Sequence, residues 1–285
     1  MPDFHLFRLK VYKLRQMNIS EYIEGDKSRS DILKEVIFSL PSAELRKGIT
    51  WRIGNVSSLD NDGLYFRIGK ISRSTIETYK EGNFLDQEFE TAPYTHAVLD
   101  TRLEVCAVAR KTKLSRTVTG IAHRFVELLS RSERARFFNV EFEIDEINDP
   151  EDFITYLRSA LLISRFWVTF SRPNPFDLEE DFMKPFASFL EKSNGEAGKV
   201  EIRGGEGLNP STLESVARSA AATGNDAGAC LLEEEGRKPV RKRLSGNPAI
   251  IPEENLADDQ QRRRFLQRVR ELYYRIRGNG GTQGE

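Results

Sequence analysis

The chain has 285 residues, of which 39% are hydrophobic and 10% aromatic, enough for two modest domains or one large one and too apolar for a disordered chain. Its net charge of −1 conceals a split, because residues 236–277 hold 12 Lys and Arg against 5 Asp and Glu, whereas residues 1–235 hold 31 against 38. Two cysteines exclude a disulfide framework, and without a signal-like or membrane-spanning apolar run we expect a cytoplasmic protein with no membrane partner.

Residues 1–150 predict a first α+β unit. Residues 4–14 are rich in β-forming side chains, and a helix is predicted at 32–40, where Pro41 ends it. A hairpin follows, and we expect its Asp62-Gly63 step to supply positive φ angles in a tight turn. Further strands are predicted at 84–90 and 97–109, on either side of a turn that contains Pro93 and His96.

The second half of this unit gives the clearest periodicities. Ser115 opens a helix whose apolar residues, from Val118 to Leu129, fall on one face. The strand at 138–145 then alternates strictly between apolar and polar side chains, so one of its sides faces water. Strands followed by a helix and a half-exposed strand indicate an α+β fold in the ferredoxin-like style, with an antiparallel or mixed sheet and helices on one face.

Residues 151–251 predict a second α+β unit that ends in a basic hairpin. A helix begins at Asp149-Pro150 and leads to a strand at 166–170. A helix at 182–190, a short strand at 200–202 and a helix from Asn209-Pro210 to Gly224 come next. Strands at 227–233 and 240–244 form the hairpin around Gly236.

Residues 252–285 predict an arginine-rich helix and a flexible tail. Seven arginines occur between 262 and 277. We expect the apolar stripe of this helix, with Phe265, Val269, Leu272 and Ile276, to be buried against the second unit. Two rows of arginines flank the stripe and frame Tyr274 on the outer face. One row is Arg263, Arg270 and Arg277, and the other is Arg264, Arg268 and Arg275.

These basic elements favour binding to an anion, because the planar guanidinium matches phosphate and carboxylate groups. With Arg241, Lys242 and Arg243 of the hairpin, the two rows and Tyr274 predict contacts to an RNA or DNA backbone. In this hypothesis the protein is not an enzyme. An antiviral or toxin setting would suit such a protein. Two alternatives remain open. The helix can dock on an acidic protein partner or on a second copy of the chain, or it can be a terminal helix with a solvated charged face.

A third functional hypothesis is catalytic. Arg116 and His123 are separated by six residues, which is similar to the Arg-x4–6-His signature of the HEPN ribonuclease family. The resemblance covers eight residues and implies that this pair acts on an RNA phosphate and its 2′-hydroxyl. HEPN domains are all-helical, whereas strands flank this helix. A solvated His123 paired with Glu127, one turn on, is the structural alternative.

No residue pattern predicts a cofactor or a metal. The carboxylates around 145–152 and 177–181 sit at helix starts, where the helix dipole favours acidic side chains.

Overall fold

The computed structural model describes residues 3–13, 27–171, 182–252 and 255–278. Helices and strands are both abundant and the strands form two sheets, which confirms the α+β class. The chain divides into two compact units: residues 1–144 with 251–267, and residues 145–250 with 268–285. The sequence division into 1–150, 151–251 and 252–285 treats the last helix as a separate segment. In the structure that helix is divided between the two units.

The first unit is built on a nine-stranded sheet. The strands are β1 (Phe4–Lys13), β2 (Ser42–Arg46), β3 (Ile49–Ser58), β4 (Gly63–Lys80), β5 (Asn83–Thr91), β6 (Tyr94–Asp100), β7 (Val105–Ala109), β8 (Val140–Glu146) and β13 (Ile250–Ile251). The central path of the sheet runs β13-β1-β7-β6-β4-β3-β2, with β5 paired to β4 and β8 paired to β1.

Among the described residues, the helices α1 (Arg29–Phe38), α2 (Val118–Ser130) and the short α3 (Glu133–Phe137) pack in this unit. The side chains of Ser28 and Thr117 accept backbone N–H bonds at the starts of α1 and α2, which satisfies donors that a helix start leaves open. The apolar face of α2 is buried as predicted, and Phe125 stacks on Phe66 of β4 with ring centroids 5.2 Å apart. This core lies between one face of the sheet and the helices.

The opposite face of the sheet carries the first turns of α7 (Asp259–Arg277). Phe265 is fully buried with its ring 4.4 Å from that of Phe4, so its predicted burial against the second unit is wrong. The expected positive φ at Gly63 is also wrong. A Cβ on Gly63 would collide with the Leu266 side chain, so the glycine is required by the close approach of the helix.

The strands at 63–109 depart from the prediction in three ways. Residues 97–109 form two strands, β6 and β7, separated by a turn at 101–104. His96 lies inside β6, opposite Arg67 of β4, and the turn predicted for it is absent there. The outer half of β4 pairs with β5 alone beyond Ser72, and together they form a two-stranded arm spanning residues 72–91.

The second unit contains a four-stranded sheet of β9 (Leu162–Ser171), β10 (Ala197–Arg203), β11 (Ala227–Leu232) and β12 (Val240–Arg243). The strand order is β10-β9-β11-β12, and all three strand pairs are antiparallel. Its helices are α4 (Glu151–Ser159), α5 (Met183–Lys192) and α6 (Pro210–Ala222). The predicted basic hairpin is confirmed as the β11–β12 pair.

The helix boundaries of this unit follow from local chemistry. Asn209 caps α6 and Pro210 occupies its first turn, while Gly224 ends the helix at φ +72°. A carboxylate oxygen of Asp149 accepts the Glu151 N–H at the start of α4. The last turns of α7 belong to this unit, and the tail beyond residue 278 lies outside the described residues.

Candidate functional site

In the second unit, a group of charged side chains surrounds a tryptophan on one face of the sheet. The strand registers align Glu201, Trp167, Gly228 and Arg243 across β10, β9, β11 and β12. The next row of the same face holds Arg203, Arg165, Cys230 and Arg241, because side chains two residues apart share a face. With Lys199, the residues of the four strands that lie on this face include five cations and one carboxylate. We call these six charged residues and Trp167 the basic sheet face.

The helices of the second unit lie on the opposite side of this sheet. Phe170 of β9 packs against Phe186 of α5, and Lys242 of β12 lies over the ring of Tyr156 in α4. Both Phe170 and Lys242 alternate with residues of the basic sheet face. The side chains of Lys199, Arg203, Arg241 and Arg243 are exposed.

Trp167 organises the centre of the basic sheet face. Its indole lies directly against Gly228, where any Cβ would collide with the ring. The Arg241 guanidinium is 4.4 Å from the indole centroid and the Lys199 ammonium is 5.4 Å from an indole ring centroid. Because Trp167 is only 4% exposed, it is not available to stack on a ligand. Its role is to fix two cations through cation–π contacts.

Glu201 forms ion pairs with three cations at the β10 edge of the sheet. Its carboxylate is 2.8 Å from Arg203, 3.5 Å from Arg165 and 3.8 Å from Lys199. The hydrogen bond from Arg203 and the positive charges of Arg165 and Lys199 lower the pKa of Glu201. One carboxylate cannot neutralise all three neighbours, and Arg241 and Arg243 lie on the far side of Trp167.

The structure separates the three basic residues predicted on the hairpin. Arg241 and Arg243 lie on the basic sheet face. Lys242 points to the helical side, where it is half-buried and forms an ion pair with Glu233 at 3.0 Å. Its positive charge is therefore already compensated.

The predicted arginine rows of α7 are also divided. Arg263 and Arg264 are exposed, and neither forms an ion pair within the described part of the chain. Arg275 donates to an Asp149 carboxylate oxygen at 2.8 Å. Arg268, Arg270, Tyr274 and Arg277 are half-buried.

The burial of the apolar stripe explains why some arginines of these rows are half-buried or bonded within the chain. Phe265, Val269 and Ile276 are fully buried, as expected, whereas Leu272 is only half-buried. Arg262, just before the stripe, donates to the carbonyls of Leu256 and Ala257. A helix seated in this way offers fewer arginines to a ligand than its sequence indicates.

The residues that resemble the HEPN signature are both exposed. Arg116 precedes the Thr117 cap and His123 lies on the exposed side of α2, and no hydrogen bond joins either side chain to another described residue. The predicted His123–Glu127 pair is wrong, because Arg124 and Arg131 both donate to the Glu127 carboxylate. The all-helical fold that the resemblance implies is also absent, since α2 packs on a sheet.

A second basic site lies in the first unit, at a cavity of about 880 Å³. It is lined by Lys70, Ser72, Thr91, Ala92, Pro93, Tyr94, Thr95, His96, Lys111 and Lys113. We call it the lysine cavity.

A hydrogen-bonded cluster supports its wall. The Tyr65 hydroxyl is 2.7 Å from His96 Nδ1 and accepts from Arg67 Nε at 3.1 Å. Burial and the positive charges of Arg67, Arg262 and Lys111 lower the pKa of His96. Both effects favour the neutral form of the imidazole.

Sequence reasoning missed most of both sites. It identified Arg241 and Arg243, but Arg165, Trp167, Lys199 and Arg203 carry no local motif. The available signal is the alternation Lys199-Val200-Glu201-Ile202-Arg203, in which every second residue is charged. For the lysine cavity, no spacing relates Lys70 to Lys111 and Lys113.

Among the residues that the structure describes, no group of three or more His, Cys, Asp or Glu side chains could hold a metal ion. Within the same residues, no helix combines the length and apolarity needed to cross a bilayer. No protein-family model and no curated protein matches the chain.

Proposed function

We propose that the protein binds the phosphate backbone of a nucleic acid through the basic sheet face. The observation that supports this proposal is the arrangement of five cations around one carboxylate, on the sheet side opposite the helices. Arginine is well suited to phosphate because its planar donors can engage two oxygens at once. A sheet also holds its side chains at fixed spacing, so the cations need little reorganisation on binding.

Backbone contacts are favoured over base stacking. Trp167 lies under Arg241 and Lys199, so the basic sheet face, as defined by its described residues, has no aromatic surface open to a base. Phosphate contacts alone give affinity with little sequence preference. We therefore expect similar binding to oligonucleotides of different sequence. Arg263 and Arg264 of α7, in the first unit, are a separate candidate contact.

The test is binding of a fluorescent single-stranded RNA or DNA oligomer measured by anisotropy over a range of salt concentrations. Four neutralised phosphates predict a slope of roughly −3 in a plot of log affinity against log salt. The double variant R241S/R243S should weaken binding at least tenfold and reduce the slope by about 1.4. Its matched control, K47S/K80S, removes two exposed charges from the first unit and should change the affinity less than twofold.

A third double variant, R263S/R264S, separates the sheet from the helix. A larger loss of affinity in this variant than in R241S/R243S would move the interface to the arginine helix. Absence of binding to RNA and to DNA at low salt would refute the nucleic-acid proposal. Thermal unfolding of each variant must match the wild type, because Arg241 also contacts Trp167.

A second candidate function, as a self-assembling subunit, is favoured by the two-stranded arm. The register places Ile76, Leu85 and Phe89 on one face of the arm, and all three are exposed. An isolated two-stranded ribbon is only marginally stable in water, and its open edges can pair with another strand. A second copy of the same arm would supply both the missing strands and a matching apolar face.

Sedimentation equilibrium tests this alternative. The wild type should associate in a concentration-dependent way, and I76K/L85K should be a monomer. Thr75 and Glu88 lie on the other face of the arm, so T75K/E88K is the matched control and should still associate. A wild-type monomer at every concentration would exclude assembly through the arm.

A further inference from the structure

The lysine cavity presents a second and independent concentration of positive charge. Three lysines and His96 line it, and none of its ten described lining residues is a carboxylate. The guanidinium of Arg67 lies 4.4 Å from the ring centroid of Tyr94, close behind the wall. These positive charges would attract an anion that enters the cavity.

The walls of the cavity are fixed by hydrogen bonds. Lys70 Nζ donates to the Leu114 carbonyl at 3.3 Å, and the Leu114 N–H donates to the Lys111 carbonyl at 2.9 Å. The Lys70 N–H donates to the Pro93 carbonyl at 3.1 Å, which joins β4 to the opposite rim. The buried Thr95 hydroxyl donates to the Ala109 carbonyl at 2.7 Å. These hydrogen bonds hold the backbone of the cavity wall in place before any ligand binds.

We propose that the lysine cavity binds a small molecule that carries an oligophosphate group of two or more phosphates. Lysine ammonium groups bind phosphate as point charges, and three of them suit several phosphates better than a single one. The volume of about 880 Å³ lies within the range typical of small-molecule sites. The ring of Tyr94 and the hydroxyls of Ser72 and Thr91 add neutral surface for the rest of such a molecule.

His96 supplies an additional donor or acceptor at the cavity. The Tyr65 hydroxyl already accepts from Arg67, which favours donation of its own proton to His96 Nδ1. A neutral ring in that state carries its proton on Nε2. A bound polyanion would place negative charge near the imidazole and raise the pKa of His96.

The test is isothermal titration calorimetry of the full chain with three probes: inorganic tripolyphosphate, a nucleoside triphosphate and the unphosphorylated nucleoside. Both phosphorylated probes should bind, and the nucleoside should not. K111S/K113S should weaken binding at least tenfold, whereas the exposed pair K47S/K80S should stay within twofold of the wild type. An NMR titration should show the pKa of His96 rising on saturation with tripolyphosphate.

The relative affinities identify the source of the phosphates. A nucleoside triphosphate that binds at least tenfold tighter than tripolyphosphate indicates a nucleotide, and equal affinities indicate an inorganic oligophosphate. Wild-type protein that binds neither would overturn the proposal, as would equal affinity in K111S/K113S. Failure of this proposal can be distinguished from failure of the nucleic-acid proposal. The R241S/R243S variant leaves the cavity unchanged and should bind tripolyphosphate as the wild type does.

Discussion

Phe265 provides the sharpest test of whether the arginine helix is part of the folded body. Its side chain is fully buried in the first unit, with its ring 4.4 Å from that of Phe4. Truncation of a buried phenylalanine to alanine costs about 3–5 kcal/mol. Alanine is the better helix former by about 0.5 kcal/mol, which offsets a small part of this cost. We therefore expect F265A to lower the free energy of unfolding of the first unit by about 3 kcal/mol.

The two tryptophans allow each unit to be followed alone. Trp51 lies in β3 of the first unit and Trp167 in β9 of the second. In a W167F background, the fluorescence of Trp51 during urea unfolding reports the first unit only. Q267A is the matched control, because Gln267 is exposed on the same helix, and it should change the free energy by less than about 0.5 kcal/mol.

The opposite result would favour a docking helix. A helix that is free to bind an acidic partner does not contribute its apolar stripe to the core of the free chain. In that case F265A would leave urea unfolding of the monomer almost unchanged. A loss of less than about 1 kcal/mol would refute the argument from burial.

Three further predictions concern local contacts. G63A should destabilise the first unit by about 1–3 kcal/mol, because the new methyl group meets Leu266, and L266A should relieve part of this loss in the double variant. The hydrogen bond from Arg218 lowers the pKa of Glu151 in the folded state. The contribution of this hydrogen bond to the free energy of unfolding is therefore present above pH about 4.3, and it is lost as the pH falls through the pKa of the folded state. E151Q should therefore lower stability by about 0.5 kcal/mol at pH 7 and by nothing at pH 2, and a constant difference would contradict this origin. Since burial lowers the pKa of His96, acidification below about pH 6.5 should destabilise the native first unit, and H96Q should remove that dependence.

Secondary structure was predictable where one physical pattern dominated. The helix with Phe125 on its apolar face is confirmed, and the strand predicted at 138–145 is confirmed from Val140 onward, because burial of one side fixes their periodicity. Its first two residues were wrongly predicted, since Phe138 ends α3 and Asn139 has a positive φ. The caps at Asn209 and Gly224 are local chemistry and need no tertiary information. The hairpin of β11 and β12 likewise followed from its turn composition.

The errors arise where tertiary contacts override local preference. Gly63 follows an aspartate in a turn, which favours a positive φ, yet the structure uses this glycine for a close approach of Leu266. His96 follows a proline and a tyrosine, which suggested a turn. In the structure it pairs with Arg67 in a strand, and its ring bonds to Tyr65. Neither partner lies near it in the sequence.

The candidate sites illustrate the same limit for function. The density of arginines along one helix is visible in the sequence, but part of that density is used in contacts within the chain, as with Arg275 and Asp149. The basic sheet face draws its charges from three strands, with Arg165 on β9, Lys199 and Arg203 on β10, and Arg241 on β12. Such a site becomes visible only when the registers are known.

The two basic sites should also differ in their response to salt. On the basic sheet face most of the cations are exposed, so each phosphate contact competes with mobile ions, and affinity should fall steeply with salt. In the lysine cavity, Lys70 and His96 are half-buried, and a bound anion is partly shielded from solvent. Tripolyphosphate should therefore retain more of its affinity at high salt than an oligonucleotide of similar affinity. A steeper loss for tripolyphosphate, at equal numbers of phosphate contacts, would indicate that it binds to the exposed lysines outside the cavity.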